Sequence, residues 1–224
     1  MIDSEQLGVQ STNVQIMAED ALLSGQLRVP NNPKGLVLFV HGSGSSRFSP
    51  RNQYVAQQLN NSGLATLLFD LLTLEENQID IETREYRFDI ALLSKRTIAT
   101  IDWLQKLPEI HSLPLGLFGA STGAAAALFA AQSRPDKVNC VVSRGGRPDL
   151  AMPILAEVKA PTLLIVGAFD QQVIELNEIA KQAIQSECKL TIIPGATHLF
   201  EEPGTLELAS EVAKNWFLKQ LIEY

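Results

Sequence analysis

Short apolar runs alternate with longer amphipathic segments along most of the chain. The apolar runs predict short strands, at residues 14–17, 22–29, 35–40, 64–70, 115–118, 138–143, 161–166 and 189–193. The amphipathic segments predict helices, at residues 50–61, 84–107, 121–133, 173–185 and 205–222. Strands that are apolar on both faces and alternate with helices indicate parallel βαβ crossovers. The pattern therefore predicts an α/β protein with a mostly parallel central sheet and helices on both faces.

No repeat or flexible linker divides the sequence, so residues 1–224 are predicted to form a single domain without a large cap. Residues 1–11 are expected to be a loose N-terminal segment, and residues 19–20 a turn between the first two strands. Residues 71–83 are acidic and are predicted to be a loop at the edge of the sheet where ligands bind. That loop is long enough to fold over a pocket, although a solvated face is the simpler interpretation.

Composition excludes several classes of function. The chain has 224 residues, 46% of them hydrophobic, and a net charge of −7. That charge argues against nucleic-acid binding, which usually needs a basic surface. No apolar run approaches the ~20 residues that a membrane span needs. The N-terminus lacks the pattern of a signal peptide, and there are only two cysteines, so we expect a cytoplasmic protein from a reducing compartment, with no membrane partner.

The motif Gly119-Ala120-Ser121-Thr122-Gly123 stands between a predicted buried strand and an alanine-rich helix. A G-x-S-x-G sequence at such a junction is typical of a nucleophile elbow, a tight turn that exposes the serine hydroxyl at the edge of the sheet. Small residues are needed two positions either side of the serine because the strand and the helix nearly touch there. The motif predicts Ser121 as a nucleophile. The alternative is that Ser121 only caps the helix.

A serine nucleophile needs a base, and the chain has three histidines. His198 follows the last apolar strand and is the predicted base. His41 ends an early strand and is expected to shape the turn there, and His111 lies in a turn at the opposite end of the sheet.

The base in turn needs an acid to orient it. Asp170 ends the strand that precedes the histidine loop and is the predicted acid. A capping role for Asp170, with Asp70 as the acid, is the alternative.

The tetrahedral intermediate of acyl transfer needs hydrogen-bond donors aimed at its oxyanion. The backbone N–H of Thr122 directly follows the nucleophile, and Ser43 lies in the glycine-rich turn after an early parallel strand. We predict these two N–H groups as the oxyanion hole. The sequence has no metal-binding or dinucleotide-binding motif, so neither metal nor cofactor is expected.

Two arginines follow a strand at the same edge of the sheet. Arg144 and Arg147 are candidates for binding a substrate carboxylate or phosphate. The alternative is that they form ion pairs with Asp149 or Glu157.

The turn after residue 40, the serine motif, Asp170 and His198 together resemble the α/β-hydrolase fold over nearly the whole chain. The lidless form is most similar to the dienelactone hydrolase-like branch. Dienelactone hydrolases proper carry a cysteine nucleophile, and Ser121 at that position favours a general serine esterase. Similar bacterial sequences also occur fused to phosphoribosyltransferase-like domains, and none is predicted in this chain.

The resemblance and the motifs imply a serine hydrolase that cleaves carboxylic esters or related acyl bonds of a small molecule. Two other hypotheses remain. One is a non-catalytic ligand-binding module on the same fold, because fold does not imply activity. The other is a different chemistry with the same attack step, such as thioester, lactone, amide or C–C bond cleavage. The substrate and the oligomeric state are not written in any motif.

Overall fold

Eight strands and six α-helices make up the fold of the computed structural model, which describes residues 8–18 and 21–222. The strands are β1 (Gln10–Ala18), β2 (Ala21–Val29), β3 (Leu36–Val40), β4 (Ala65–Phe69), β5 (Leu115–Ala120), β6 (Val138–Arg144), β7 (Thr162–Gly167) and β8 (Cys188–Ile193). The helices are α1 (Pro50–Asn61), α2 (Leu74–Thr83), α3 (Ile90–Leu104), α4 (Thr122–Ser133), α5 (Gln171–Ala183) and α6 (Thr205–Ile222). A 3-10 helix spans Pro148–Glu157.

All strands form one sheet in the order β1-β2-β4-β3-β5-β6-β7-β8. The pairs β1–β2 and β2–β4 are antiparallel, and every other pair is parallel. The prediction of a single α/β domain with a mostly parallel sheet is confirmed. The predicted turn at residues 19–20 lies outside the described residues.

The expectation of a loose segment over residues 1–11 is wrong at its C-terminal end. Gln10 and Ser11 lie opposite Val29 and Arg28 in the antiparallel pair, so β1 begins four residues before the predicted strand. These positions are polar and exposed, and their pairing comes from backbone hydrogen bonds that no apolar pattern marks. Residues 1–7 lie outside the described part of the chain.

Helices cover both faces of the sheet, and each face has its own apolar core. Helices α1 and α6 pack on one face, and α3, α4 and α5 pack on the other. Every residue of β3, β4 and β5 is buried, as expected for central strands that are covered on both sides. Because the parallel strands share one direction, the loops after β3, β5, β6, β7 and β8 meet at one edge of the sheet.

The segment predicted as the 71–83 loop is wrong in part, since it contains helix α2. Thr73 and Glu76 form a reciprocal capping box that starts this helix. Arg84 ends it in a left-handed conformation with φ of 59°, so the helix predicted from residue 84 begins only at Ile90. The weak apolar content of α2 hides it from a periodicity argument, whereas the capping box is a readable signal.

Among the described residues, no helix is both long enough and apolar enough to cross a membrane.

Candidate active site

Ser121 occupies a strained turn between β5 and α4. Its backbone has φ of 50° and ψ of −124°, a conformation that residues with a side chain rarely adopt. Ser121 stands at the N-cap position of α4, yet its side chain makes no capping hydrogen bond. The alternative interpretation, a serine that serves as a helix cap, therefore does not hold, and its hydroxyl is left for other contacts.

Two glycines make this turn sterically feasible. A Cβ atom on Gly119 would lie 2.4 Å from the Cα of Ala124, and one on Gly123 would lie 2.2 Å from the carbonyl oxygen of Val40. Both distances are far below any real Cβ contact, so strand and helix approach too closely for a side chain. The requirement for small residues on either side of Ser121 thus has a direct geometric cause.

We expect Gly123→Ala to lower the free energy of unfolding by about 3 kcal/mol or more, because the new methyl group collides with backbone that has no room to move. Gly204→Ala is the matched control. Gly204 has a positive φ, of 82°, unlike Gly123, and open space surrounds its Cβ position, so only backbone strain of about 1 kcal/mol is expected. Urea denaturation measures both variants, and equal losses of stability would contradict the crowding argument.

His198 and Asp170 form a hydrogen-bonded pair at the same edge of the sheet. The Nδ1 atom of His198 lies 2.6 Å from Oδ2 of Asp170. Asp170 immediately precedes α5 but makes no side-chain cap to that helix. Its side chain is 15% exposed and that of His198 is 40% exposed. The carboxylate thus binds one ring nitrogen, and Nε2 remains as the nitrogen that can exchange protons.

The loop that carries His198 is held from two sides. A Cβ on Gly167 would lie 2.4 Å from the carbonyl oxygen of Ala196, so this loop packs directly on the end of β7. Glu202 accepts hydrogen bonds from the backbone N–H and the hydroxyl of Thr197, at 3.0 and 2.6 Å. These hydroxyl and N–H donors hold the pKa of the Glu202 carboxyl below its ordinary value. Sequence reasoning missed Glu202, because its contact depends on how the loop folds back.

Ser121 and His198 line the same cavity, which has a volume of about 160 Å³. The walls come from the loop after β3, the start of α1, the end of β5, the end of β6 and the histidine loop. The lining residues are Gly42, Ser43, Ser45, Ser49, Arg51, Asn52, Ala120, Ser121, Arg144, Gly145, His198 and Leu199. The fold thus brings together the predicted nucleophile, the predicted base and one of the two predicted oxyanion donors.

The predicted oxyanion donors are adjacent to each other, with one unexpected feature. Thr122 is the first residue of α4, where backbone N–H groups have no helical partner. The Ser43 N–H, however, donates to the side-chain Oγ1 of Thr122 at 3.0 Å. The structure therefore places Ser43 where it was expected but shows its N–H already engaged.

Arg144 is buried in the cavity wall without a carboxylate partner among the described residues. Its Nη2 donates to Oδ1 of Asn52 at 3.1 Å, and its buried Nη1 has no partner within the described part of the chain. The guanidinium lies 5.5 and 5.9 Å from the ring centres of Phe118 and Phe200. Burial, with a smaller contribution from the charge of Arg51, lowers the pKa of Arg144 to about 10.

Arg147 is differently placed. It forms two hydrogen bonds to Asp149, from Nε at 2.8 Å and from Nη2 at 2.7 Å, and it does not line the cavity. This bidentate pair matches the ion-pairing alternative that the sequence left open. We therefore do not include Arg147 among the proposed substrate-binding residues.

The other candidate histidines have structural contacts away from Ser121. His41 is buried, with Nδ1 2.9 Å from the carbonyl oxygen of Gly42, and its Nε2 accepts the N–H of Leu71 at 3.0 Å. Burial lowers the pKa of His41, so this ring is neutral and shapes the turn after β3. The Nδ1 atom of His111 lies 3.0 Å from the carbonyl oxygen of Pro108, in an exposed turn.

The alternative acid, Asp70, is also committed elsewhere. Its carboxylate accepts the backbone N–H of Arg47 at 2.7 Å and pairs with the guanidinium of the same residue. Asp170 is thus the carboxylate that reaches His198. Over the described residues, no cluster of three or more histidine, cysteine or acidic side chains forms a candidate metal site.

A strained serine at a strand-to-helix turn, followed along the chain by an acid and a histidine at the same sheet edge, is the geometry of the α/β hydrolases. The family model for the alpha/beta hydrolase domain matches residues 33–217. The chain belongs to the alpha/beta hydrolase family, in its dienelactone hydrolase-like branch.

Three relatives illustrate this likeness. A dienelactone hydrolase from Anabaena variabilis is 54% identical, with a TM-score of 0.94 over 96% of this chain and 99% of that one. A curated Mycobacterium tuberculosis H37Rv protein, named as a phosphoribosyl transferase, is 54% identical over 95% of this chain and 47% of its own length. The chain thus spans about half of that relative. Est1E from Butyrivibrio proteoclasticus, at 20% identity and a TM-score of 0.78 over 93% of this chain and 98% of that one, shares the fold.

Proposed function

We propose that this protein is a serine hydrolase that cleaves carboxylic esters or related acyl bonds of a small molecule through an acyl-enzyme. The observation that carries the proposal is the 2.6 Å contact between His198 and Asp170, in a site where His198 shares a cavity with the strained Ser121. Membership of the hydrolase family supports it.

The mechanism follows from the roles of these groups. Ser121 Oγ attacks the carbonyl carbon while Nε2 of His198 takes its proton. Asp170 fixes the tautomer of His198 and stabilises the imidazolium that forms. The N–H groups of Thr122 and Ser43 stabilise the oxyanion of the tetrahedral intermediate. His198 then protonates the leaving group, and a water molecule activated by the same ring hydrolyses the acyl-enzyme.

Wild-type protein assayed on p-nitrophenyl esters from acetate to octanoate tests this proposal. We expect saturable hydrolysis, with a preference for the shorter chains because the cavity holds only about 160 Å³. No hydrolysis of any ester, together with binding of the same esters, would favour the alternative of a non-catalytic module. Parallel assays on thioesters and lactones separate the esterase from a thioesterase or a dienelactone-type hydrolase.

Phosphoribosyl transfer, the activity in the name of the M. tuberculosis relative, is not what we propose for this chain. The matched region is only 47% of that protein. The groups assembled around Ser121 are those of acyl transfer rather than those of pyrophosphate displacement.

We further propose that the substrate carries an anionic group that lies near Arg144. Within the part of the chain that the structure describes, the buried guanidinium of Arg144 has one unpartnered nitrogen and no carboxylate in contact, which leaves a positive charge in the cavity wall. Arg51 lines the same cavity and adds to the field. An anion bound there would be attracted more strongly than at the protein surface because the surroundings are poor in water.

We expect Arg144→Met to lower kcat/KM about ten- to a hundredfold for mono-p-nitrophenyl succinate, because the succinate carboxylate would lose its charged hydrogen-bond donor, the guanidinium of Arg144. The neutral p-nitrophenyl butyrate should change little. Arg147→Met is the matched control, because Arg147 is paired with Asp149 outside the cavity. Equal losses on both esters in Arg144→Met, with the fold intact by circular dichroism, would contradict the proposed anion recognition.

A further inference from the structure

Ser43 and Thr122 are joined by hydrogen bonds whose directions can be assigned. Ser43 Oγ lies 2.9 Å from the carbonyl oxygen of Arg87 and 2.8 Å from Oγ1 of Thr122. A carbonyl oxygen only accepts, so the single hydroxyl proton of Ser43 goes to Arg87. The hydroxyl proton of Thr122 therefore goes to Ser43 Oγ, while Thr122 Oγ1 accepts the Ser43 N–H at 3.0 Å. The result is a continuous chain from the Ser43 N–H to the Arg87 carbonyl, in which each bond polarises the next.

The last acceptor of this chain of hydrogen bonds, the carbonyl oxygen of Arg87, lies in a segment that Asp80 holds in place. Asp80 is 1% exposed and accepts the backbone N–H groups of Tyr86 and Arg87, both at 2.9 Å. Its carboxylate also accepts Nε of Arg87 at 2.7 Å. Burial alone would raise the pKa of Asp80, but these donors outweigh it and hold that pKa below its ordinary value. The Arg87 carbonyl is thus a fixed acceptor at the end of the segment that includes α2.

The loop after β3 separates two spaces. On one side lies the cavity with Ser121 and His198; on the other lies a second cavity of about 230 Å³ that reaches α2 and Arg87. Ser43 lines both. Gly44, with φ of 66°, packs close to the Arg87 guanidinium, since a Cβ there would lie 3.2 Å from Nη1. The loop therefore has free space on both sides, and two glycines, Gly42 and Gly44, flank Ser43.

We infer that the Thr122 hydroxyl is a latch on the oxyanion donor Ser43: it holds the Ser43 N–H in the free enzyme and releases it when the oxyanion forms. This inference rests on the proposed function. The hydrogen bond between Ser43 N–H and Thr122 Oγ1 stabilises the ground state and is given up in the transition state. An interaction of that kind raises the barrier instead of lowering it. Thr122 is accordingly a positioning residue through its side chain, besides supplying a backbone donor.

Thr122→Val tests the latch, because valine keeps the shape and removes the hydroxyl. We expect kcat for p-nitrophenyl butyrate to rise about two- to tenfold, the worth of one neutral hydrogen bond, with KM little changed. Thr122→Ser, which restores the hydroxyl, should reverse the rise. Thr97→Val is the matched control, since Thr97 is a fully buried threonine on α3 whose hydroxyl donates to the carbonyl oxygen of Leu93 in the same helix. It should leave kcat as in the wild type.

Phenylboronic acid supplies a second readout that does not depend on turnover. Ser121 Oγ adds to boron, its proton passes to His198, and an anionic tetrahedral boronate with an oxygen in the oxyanion hole results. Thr122→Val should bind this inhibitor more tightly by the same factor as the rise in kcat. A fall in both kcat and boronate affinity would overturn the latch, because the hydroxyl would then only support the loop. Absence of boronate inhibition in wild-type protein would instead remove the proposed function, and the latch with it.

Discussion

Ser121→Ala is expected to lower kcat for p-nitrophenyl ester hydrolysis by about 10⁴- to 10⁶-fold, as loss of a nucleophile does in serine hydrolases. The reason is geometric: the strained backbone holds Ser121 at the strand-to-helix turn, in the wall of the cavity that His198 also lines. Steady-state kinetics on purified protein measure the loss.

Ser133→Ala controls for this experiment, because Ser133 ends the same helix at the far side from the cavity. It should retain wild-type activity. Hydrolysis that survives in Ser121→Ala within tenfold of the wild type would show that another group performs the attack.

Asp170→Asn is expected to lower kcat by about 10⁴-fold while changing KM little. The amide keeps the shape of the carboxylate, but it neither stabilises the imidazolium nor holds the tautomer in which Nε2 of His198 accepts a proton. The 2.6 Å contact to Nδ1 of His198 makes this loss specific to Asp170.

Asp70→Asn is the matched control, since Asp70 also directly follows a strand, β4, but pairs with Arg47 instead of His198. Its kcat should stay within severalfold of the wild type, although its thermal stability should fall with the lost pair. If the two variants exchange these behaviours, Asp70 is the acid and the assignment of Asp170 is wrong.

The order of the strands and of helices α1 and α3 to α6 was predictable because it depends on local sequence. Buried parallel strands appear in the sequence as continuous apolar runs. The start of α1 is indicated by a capping serine, Ser49, followed by a proline, Pro50, at the first helical position. The serine motif needs its glycines for steric reasons that hold wherever such a turn occurs. The predicted positions of Asp170 and His198 at one edge follow from parallel topology alone.

Tertiary contacts were not predictable from the same signals. Whether Arg147 meets Asp149 or a substrate depends on the path of the 3-10 helix, and the sequence left both open. The bond between Ser43 and Thr122 joins residues 79 apart, and Asn52 reaches Arg144 across 92. Such contacts arise only when packing brings separate loops together, so no spacing rule reveals them.

Helix α2 is an intermediate case. Its acidic, weakly amphipathic sequence resembles that of a surface loop, yet Thr73 and Glu76 carry a capping signature that local reasoning can detect. The sequence did not reveal that α2 lies near the active site, because only the fold shows that Asp80 and Arg87 lie beside the loop that carries Ser43.

The most direct test of the central claim is labelling with a fluorophosphonate followed by peptide mass spectrometry. Ser121 Oγ attacks phosphorus and expels fluoride, so the adduct records an activated serine without any assumption about substrate. We predict one adduct, on Ser121, formed rapidly in the wild type and at least a hundredfold more slowly in Asp170→Asn. An unlabelled protein, or an adduct on another residue, would contradict the account.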